Sequence, residues 1–397
     1  MKLQYQKTSR VKIESYGKLA SFVILLMFLI NPAMGSLVAF IYLLFTPRNF
    51  IPLHFLSVIF SLYLGIINNL KQRDIGDTVS ILADFKRASN MSYWEFFFDM
   101  FEEPFYASLI WMSNRIFFEH FGLFCLLSSV LFYHILGLSV IKIGKVQNFT
   151  FNNYKLAFVI LFFFPFIFTW SFHTTRQVLG FAFFMWFLSD FLLYSRYNFK
   201  LLILSFFTHT SIILYSPFML YYLLIRKYSN KTSIIISSVF FGLIFVGYST
   251  FVNYLTYTSK INSRFQESGF DDGLSINPTV YLLLVLIILV TIIYWFRTKE
   301  NKSVLNLFIF TAIVSILTSE NFPLISYRFT INFYILIPFA SFYFIKDSII
   351  NKIIVFILSI LIFSWFNYYL FNGPWYYGSE ETIYLNNYFN NFYGLFN

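Results

Sequence analysis

Long apolar segments separated by short polar loops limit how this chain can fold. Only 12% of its residues are charged and 58% are hydrophobic, whereas about 25% of a soluble domain is charged. Lipid admits only helices and closed barrels, and a helical span needs ~20 apolar residues. We therefore predict an all-α polytopic integral membrane protein, a single transmembrane domain over 1–397 with about 11–13 transmembrane or re-entrant helices. The apolar segments lie near 18–31, 33–46, 50–69, 121–142, 155–171, 176–194, 199–225, 233–250, 279–296, 303–318, 328–345 and 351–368.

Two of these stretches are too long for one ordinary span. The stretch 18–46 is interrupted by "INPAMG", and Pro32 disfavours helical backbone at Asn31, so we expect a tight pair of short helices. The stretch 199–225 is interrupted by "FTHTS". We expect a hairpin or two short spans there, with His209 near the turn.

The distribution of charge predicts the topology. With a cytoplasmic N-terminus, most lysines and arginines fall in inner loops and most acids fall outside, as the positive-inside rule requires. The lysines and arginines occur in short clusters between apolar segments, and this distribution argues against a nucleic-acid partner. The predicted outer segments are a large loop at 70–120, a second loop at 251–278 and the C-terminal tail at 369–397.

The loop 70–120 holds most of the outer polar residues. Its "SYWEFFFDMF" stretch has the spacing of a capping box, with Ser92 as N-cap and Glu95 three residues later. Its aromatic content predicts amphipathic helices on the outer leaflet of the bilayer. The expected anchors are Trp94, Phe96, Phe97 and Phe98.

Two arginines stand at the outer ends of predicted spans. In "SFHTTRQ", His173, Arg176 and Gln177 have the spacing of one helix face, and Arg328 opens a later span in "YRFTINFY". Two guanidinium groups and two helix N-termini would suit a pyrophosphate. Alternatively, each arginine snorkels to headgroups or pairs with an outer acid. Arg264, in the second outer loop, is a further candidate for binding the substrate.

Candidate groups for proton transfer are few. A glycosyl transfer needs a carboxylate or a histidine that accepts the proton of the attacking hydroxyl. The candidates are His209 and the outer acids Asp77, Glu102 and Glu103. The two glutamates precede Pro104, so capping a helix is their alternative role, and His209 has the alternative role of a hydrogen-bonded residue of the bundle.

No pattern in the sequence predicts a cofactor. The histidines lack metal-ligand spacing, and no nucleotide-binding motif is present. We therefore predict neither a metal nor a nucleotide. A transferase of this kind would use a lipid-linked donor presented outside.

The segment "FTWSFHTTRQVLGFAFFMWFLSDFLLYSRYNFKLLILSFFTHTSIILYSPFMLYYLL" resembles the central part of the EpsG family of exopolysaccharide and O-antigen polymerases, which are of the Wzy type. The resemblance lies in an Arg-Gln pair at the start of one span, a charged inner turn, and a histidine in a short hydrophobic hairpin. Three further stretches are similar to family motifs: "RDIGDTVSILADF", "EEPFYASL" and "YRFTINFYILIPFA".

The resemblance implies a GT-C-like glycosyltransferase in the bacterial inner membrane, with its active site on the periplasmic face. Such enzymes transfer a growing glycan from undecaprenyl pyrophosphate onto the non-reducing end of the next lipid-linked repeat, and a chain-length regulator is a further expected partner. Arg176 and Arg328 would hold the pyrophosphate. His209 or one of Asp77, Glu102 and Glu103 would be the base. The alternatives are a flippase of lipid-linked oligosaccharide, a lipid-carrier ligase or single-sugar transferase, and a membrane acyltransferase.

Overall fold

A computed structural model describes residues 17–45, 53–70, 77–195, 197–215, 218, 285, 289–293, 303–318, 323–340 and 349–372. Within these ranges the chain is helical and contains no strand. The helices are α1 (Gly17–Ile30), α2 (Pro32–Phe45), α3 (Leu53–Leu70), α4 (Asp77–Ser89), α5 (Tyr93–Asp99), α6 (Pro104–Ile116), α7 (Phe121–Val146), α8 (Phe151–Phe163), α9 (Pro165–His173), α10 (Thr175–Tyr194), α11 (Phe199–Thr208), a 3₁₀ helix (Thr210–Tyr215), α12 (Ser303–Leu317), α13 (Pro323–Ala340) and α14 (Ile349–Asn372).

The chain forms two compact units. The first comprises Met1–Ile212 and Ile337–Asn397, and the second comprises Ile213–Leu336. In the first unit, α7 packs against both α3 and α10, α10 packs against α11, and α14 packs against α8. Helix α7 therefore lies at the centre of this unit.

Several helices have the length and composition of membrane spans. Among the described residues, α7, α10 and α14 can each cross a bilayer, and α8 with α9 forms a further candidate that is bent by 48°. The apolar windows of α7 and α10 are 61% and 72% buried, whereas that of α14 is only 17% buried. Helix α14 therefore presents most of its apolar surface outward, as a lipid-facing helix does. These helices establish a multi-pass α-helical membrane protein.

The two helix breaks expected from the sequence are present. Helix α1 ends at Ile30 and α2 begins at Pro32, while the side chain of Asn31 accepts a hydrogen bond from the backbone N–H of Met34 at 3.1 Å. Helix α11 ends at Thr208, and His209 is extended, with φ −157° and ψ 121°. The part of the 199–225 stretch beyond Tyr215 lies outside the described residues, except for Phe218.

Two helix boundaries differ from the sequence-based expectation. The apolar segment 155–171 is not one helix, because the chain breaks at Phe164, where Pro165 begins α9. Proline removes a backbone donor and disfavours helical backbone in the residue before it. Helix α13 begins at Pro323, so Arg328 lies in its second turn and does not open it.

Helices α4, α5 and α6 occupy the predicted loop 70–120. The capping box exists: Ser92 Oγ accepts from the Glu95 N–H at 3.4 Å, and a Glu95 carboxylate oxygen accepts from the Ser92 N–H at 2.8 Å. The expectation that Phe96 is a surface anchor is wrong. Phe96 is fully buried in a cluster with Phe85 and Tyr106, because it lies on the face of α5 that packs on α4 and α6. Trp94, Phe98 and Phe101 are 63%, 66% and 65% exposed.

The second unit contains a small polar core between α12 and α13. Ser315 Oγ lies 2.5 Å from Thr330 Oγ1, and the Ser326 hydroxyl donates to the Ser315 carbonyl at 2.5 Å. The Asn332 side-chain amide donates to the Tyr215 hydroxyl at 2.9 Å. These bonds satisfy polar groups inside apolar helices, and they fix the face of α13 on either side of Arg328.

The close approach of α1 and α2 generates a prediction at Gly35. A Cβ atom at this position would lie 2.3 Å from the Phe28 Cα. Since the obstacle is backbone, Gly35→Ala should lower the free energy of unfolding by about 2 kcal/mol or more. Thermal unfolding of the purified protein measures this effect. Met34→Ala, next in sequence at a 47% exposed side chain, is the control and should change stability little. Equal stability of Gly35→Ala and the wild type would contradict the close approach.

Candidate functional site

A buried carboxylate, that of Glu103, lies at the centre of the candidate site. Glu103 is the N-cap residue of α6, which begins at Pro104, but its side chain makes no capping hydrogen bond. Instead, Oε2 accepts from Arg176 Nη1 at 3.1 Å, and Oε1 forms a close contact with His209 Nδ1. The Glu103 side chain is only 10% exposed. A carboxylate this buried requires such partners, because burial of an unpaired charge is costly.

Helix α10 supplies the arginine. Arg176 is the second residue of α10 and therefore lies in its first turn, as predicted. Its side chain is 23% exposed, so the guanidinium group lies between the protein interior and the surroundings. Pairing with an acid is one alternative role for this residue, and the structure contains such a pair with Glu103.

The end of α11 supplies the histidine. His209 follows the last residue of α11 and is 7% exposed. Helix α10 approaches it closely at Gly180, where a Cβ atom would lie 3.2 Å from both the His209 Cβ and the Ser205 carbonyl oxygen. This tight contact holds His209 against α10, the same helix that carries Arg176.

A second carboxylate, that of Asp84 on α4, lies within electrostatic reach of this cluster. Burial raises the pKa of Asp84 above its usual range, while the positive charges of Arg87 and Arg176 oppose that rise. The negative charges of Asp99 and Glu103 raise it further. Arg87 bridges Asp84 and Asp99 at 2.9 and 2.8 Å. Asp84 is therefore electrostatically coupled to both Arg176 and Glu103.

Two other candidates from the sequence, Gln177 and His173, are close to Arg176 along the chain. Gln177 is 3% exposed and follows Arg176 on α10. His173 does not share a helix face with Arg176, so that expectation is wrong. It is the last residue of α9, where it contacts the Trp170 ring, and the non-helical backbone of Thr174 (φ −131°, ψ 48°) separates the two helices.

The remaining candidates have separate outcomes. Glu102 is exposed, unlike its neighbour Glu103. Asp77 is the first residue of α4, and its side chain is outside the described part of the structure. Arg328 is half-buried in the second unit, so its joint action with Arg176 on one pyrophosphate stays a prediction. Arg264 lies outside the described residues.

The arrangement has the geometry of a carboxylate–histidine dyad. A carboxylate that accepts a hydrogen bond from Nδ1–H fixes the imidazole tautomer and leaves Nε2 as the proton acceptor. Glu103 also places a fixed negative charge beside Arg176, which orients the guanidinium group. One acid thus positions both a potential base and a potential anion-binding group.

Sequence reasoning missed two polar residues in this region, Asp84 and Asn68. Asn68 is 1% exposed on the apolar helix α3. A polar side chain inside an apolar helix was the available signal for Asn68. No comparable signal exists for Asp84, whose importance depends on its distance from Arg176 in the fold. No group of three or more His, Cys, Asp or Glu side chains within the described ranges is arranged to hold a metal ion.

Fold and site together define a class: a multi-pass helical membrane protein with a buried Glu–Arg–His cluster. Comparison with protein families makes the assignment specific. The model of the EpsG family matches residues 52–383, which is most of the chain, and the chain belongs to this family. The family is of the Wzy-type polysaccharide polymerase kind, a glycosyltransferase-like activity in general. No curated protein and no solved structure matches the chain.

The bridging carboxylate predicts a strong coupling between Glu103 and Arg176. In a double-mutant cycle of Glu103→Gln and Arg176→Gln, we expect a coupling energy of about 1–3 kcal/mol, since removal of either partner leaves a buried charge unpaired. The pair Arg87–Asp84, which is more exposed at 45% and 21% of its side chains, is the matched control and should give less than about 1 kcal/mol. Thermal unfolding of purified variants measures both cycles. Equal coupling in the two pairs would contradict the burial argument.

Proposed function

We propose that this protein polymerises a polysaccharide by transferring the growing glycan from undecaprenyl pyrophosphate onto the non-reducing end of the next lipid-linked repeat. The proposed site is the Glu103–Arg176–His209 cluster, on the periplasmic face of the bacterial inner membrane, with the N-terminus in the cytoplasm. One observation carries the proposal. A single buried carboxylate contacts both the arginine expected to bind an anion and the histidine expected to accept a proton.

His209 is the proposed base. The hydroxyl group of the acceptor sugar gives its proton to His209 Nε2 as its oxygen forms a bond to the anomeric carbon of the donor. Glu103 holds Nδ1–H and stabilises the imidazolium that results. General-base catalysis of this kind contributes about 10²–10⁴-fold to a rate.

Arg176 is the proposed group for the leaving diphosphate. The bond between the anomeric carbon and the diphosphate oxygen breaks, and the electron pair leaves with that oxygen. A guanidinium group at the start of a helix stabilises this developing charge, since its N–H donors and the helix N-terminus both favour an anion. Arg328 stays a predicted anion-binding residue.

The exposed aromatic face of α5 supports access from a lipid surface. Trp94, Phe98 and Phe101 form a contiguous set of ring contacts, with Phe97 between them. Aromatic side chains of this kind favour the membrane–water interface. Glu103 follows Phe101 by only two residues and immediately precedes α6. A polyprenol in the outer leaflet that contacts these aromatic side chains would therefore lie near the start of α6.

Replacement of Arg176 tests the anion-binding role. Arg176→Ala should leave the protein inserted in the membrane but abolish long surface glycan, so that single capped repeats remain on a gel of the cell-surface polysaccharide. Arg176→Lys should fail too, because an ammonium group does not reproduce bidentate contact with a phosphate. Arg115→Lys is the matched control, since Arg115 donates to the Ser89 carbonyl at 3.1 Å, outside the cluster.

The gel separates the possible results. Normal long chains from Arg176→Ala would remove Arg176 from the mechanism. Full activity of Arg176→Lys would show that its charge alone matters. Complete loss of exported repeats on deletion of the gene, in place of single capped repeats, would favour a flippase over a polymerase.

The neighbouring glutamates provide a test of the dyad. Glu103→Gln should lower the turnover number of the purified enzyme by about 100-fold or more, because Gln cannot stabilise a charged His209. Glu102→Gln alters an exposed side chain one residue away and should retain most of the turnover. Polymerisation of extracted lipid-linked repeats provides the assay. The reverse ranking of the two variants would move the catalytic role to Glu102.

A further inference from the structure

A pocket beside the cluster contains a buried acceptor that lacks a partner. Asn68, Ser129, Ser171 and Thr175 line it, together with Phe121 and Phe124. Its volume is about 10 Å³, which is room for one group of the size of a water molecule. Asn68 is 1% exposed, and its Oδ1 accepts no hydrogen bond from any residue that the structure describes. A buried carbonyl oxygen in this state carries a desolvation penalty that a ligand could remove.

The hydrogen bonds around the pocket determine what kind of ligand fits. Asn68 Nδ2 already donates to Ser129 Oγ at 2.5 Å. The hydroxyl protons of Ser171 and Thr175 are directed to the carbonyls of Phe168 and Ser171, at 2.7 and 3.5 Å. The hydroxyl donors of Ser171 and Thr175 are therefore engaged within the protein, while Asn68 Oδ1 remains an acceptor. The complementary ligand is an uncharged hydrogen-bond donor, and a hydroxyl group is the simplest one.

The walls of the pocket favour a sugar as the source of that hydroxyl. Phe121 and Phe124 are stacked with their centroids 5.8 Å apart and provide an apolar wall next to the polar floor. A cavity of about 10 Å³ admits one hydroxyl-sized group, so the sugar ring that carries the hydroxyl would lie at its mouth. Neither Asn68 nor the serines carry a charge, so the lining does not select an anion or a cation.

The position of the pocket indicates which sugar would enter it. Thr175 immediately precedes Arg176, and consecutive Cα atoms are only about 3.8 Å apart. Ile81, which also lines the pocket, lies three residues before Asp84 on α4. The pocket and Arg176 are therefore both associated with the first turn of α10.

We propose that this pocket binds a hydroxyl group of the sugar residue attached directly to the diphosphate of the lipid-linked donor. This inference rests on the proposed function, because that function places the diphosphate at Arg176. The pocket would fix the orientation of the donor sugar relative to His209. It would also restrict the polymerase to donors whose first sugar has a hydroxyl at the matching position.

Kinetics of purified full-length protein with extracted lipid-linked repeats test this subsite. Asn68→Leu fills a similar volume without an acceptor and should raise the KM for the repeat about tenfold, with a smaller change in kcat, because the bond is present in both ground and transition states. Ser129→Ala frees the Asn68 amide and should also raise KM. Ser128→Ala is the matched control. Ser128 is equally buried on α7, bonds only the Phe124 carbonyl within its own helix, and should leave KM unchanged.

The single cysteine of the chain allows a test that needs no substitution. Cys125 lines the same pocket, so its reaction with methyl methanethiosulfonate, followed by mass spectrometry, reports access. Addition of the lipid-linked repeat should slow this reaction at least severalfold. An unchanged rate would mean that the pocket holds only water and would overturn the proposal. A thiol that never reacts would overturn it too, because the pocket would then be closed to ligands.

Different results would contradict the proposed polymerase function and the proposed sugar subsite. If the wild-type protein does not polymerise the repeats, the proposed function fails. If the wild type polymerises them while Asn68→Leu and Ser129→Ala keep a normal KM, only the sugar subsite is contradicted. An Asn68→Leu protein that does not fold leaves the decision to Ser129→Ala and to the protection of Cys125.

Discussion

The need to neutralise one buried carboxylate is the interaction on which the candidate site depends. Glu103 is 10% exposed, and both of its oxygens are used, one by Arg176 and one by His209. Its partners lie 73 and 106 residues away in sequence. A carboxylate in a low-dielectric setting without such partners would be strongly destabilising. The start of α6, the start of α10 and the end of α11 are therefore linked energetically as well as spatially.

All three members of the cluster lie at helix ends, and this follows from the physical chemistry of apolar helices. Within a span, the backbone groups are paired along the helix and polar side chains are costly. At a helix end, the chain has unpaired backbone groups and greater access to polar surroundings. Breaks at Pro104, Thr174 and His209 thus create the positions at which ionisable side chains can meet beside a lipid phase.

Hydropathy predicts most helices of the first unit because the bilayer imposes their length and apolar character. It also predicts the breaks at Asn31 and His209, where polar residues interrupt the apolar run. Hydropathy does not predict the break at Phe164, because the residues on both sides of Pro165 are uniformly apolar; the signal there is Pro165 itself, as Pro32 is at Asn31. Local sequence also does not show which of Glu102 and Glu103 belongs to the site. The two residues are identical neighbours, and only the packing of helices distant in sequence buries Glu103 and leaves Glu102 exposed. The inward position of Phe96 depends on how α5 packs against α4 and α6, which aromatic content alone does not reveal.

Helices α4 to α6 have a hydrophobic cluster of their own, which includes Phe85, Phe96 and Tyr106, and the acid that they deliver meets residues delivered by α10 and α11. This division has a consequence for biogenesis. Helices α10 and α11 are synthesised after the segment that carries Glu103. Glu103 therefore gains its two partners only when both of these helices are present. The Glu103–Arg176–His209 cluster can therefore be completed only after the later helices are in place.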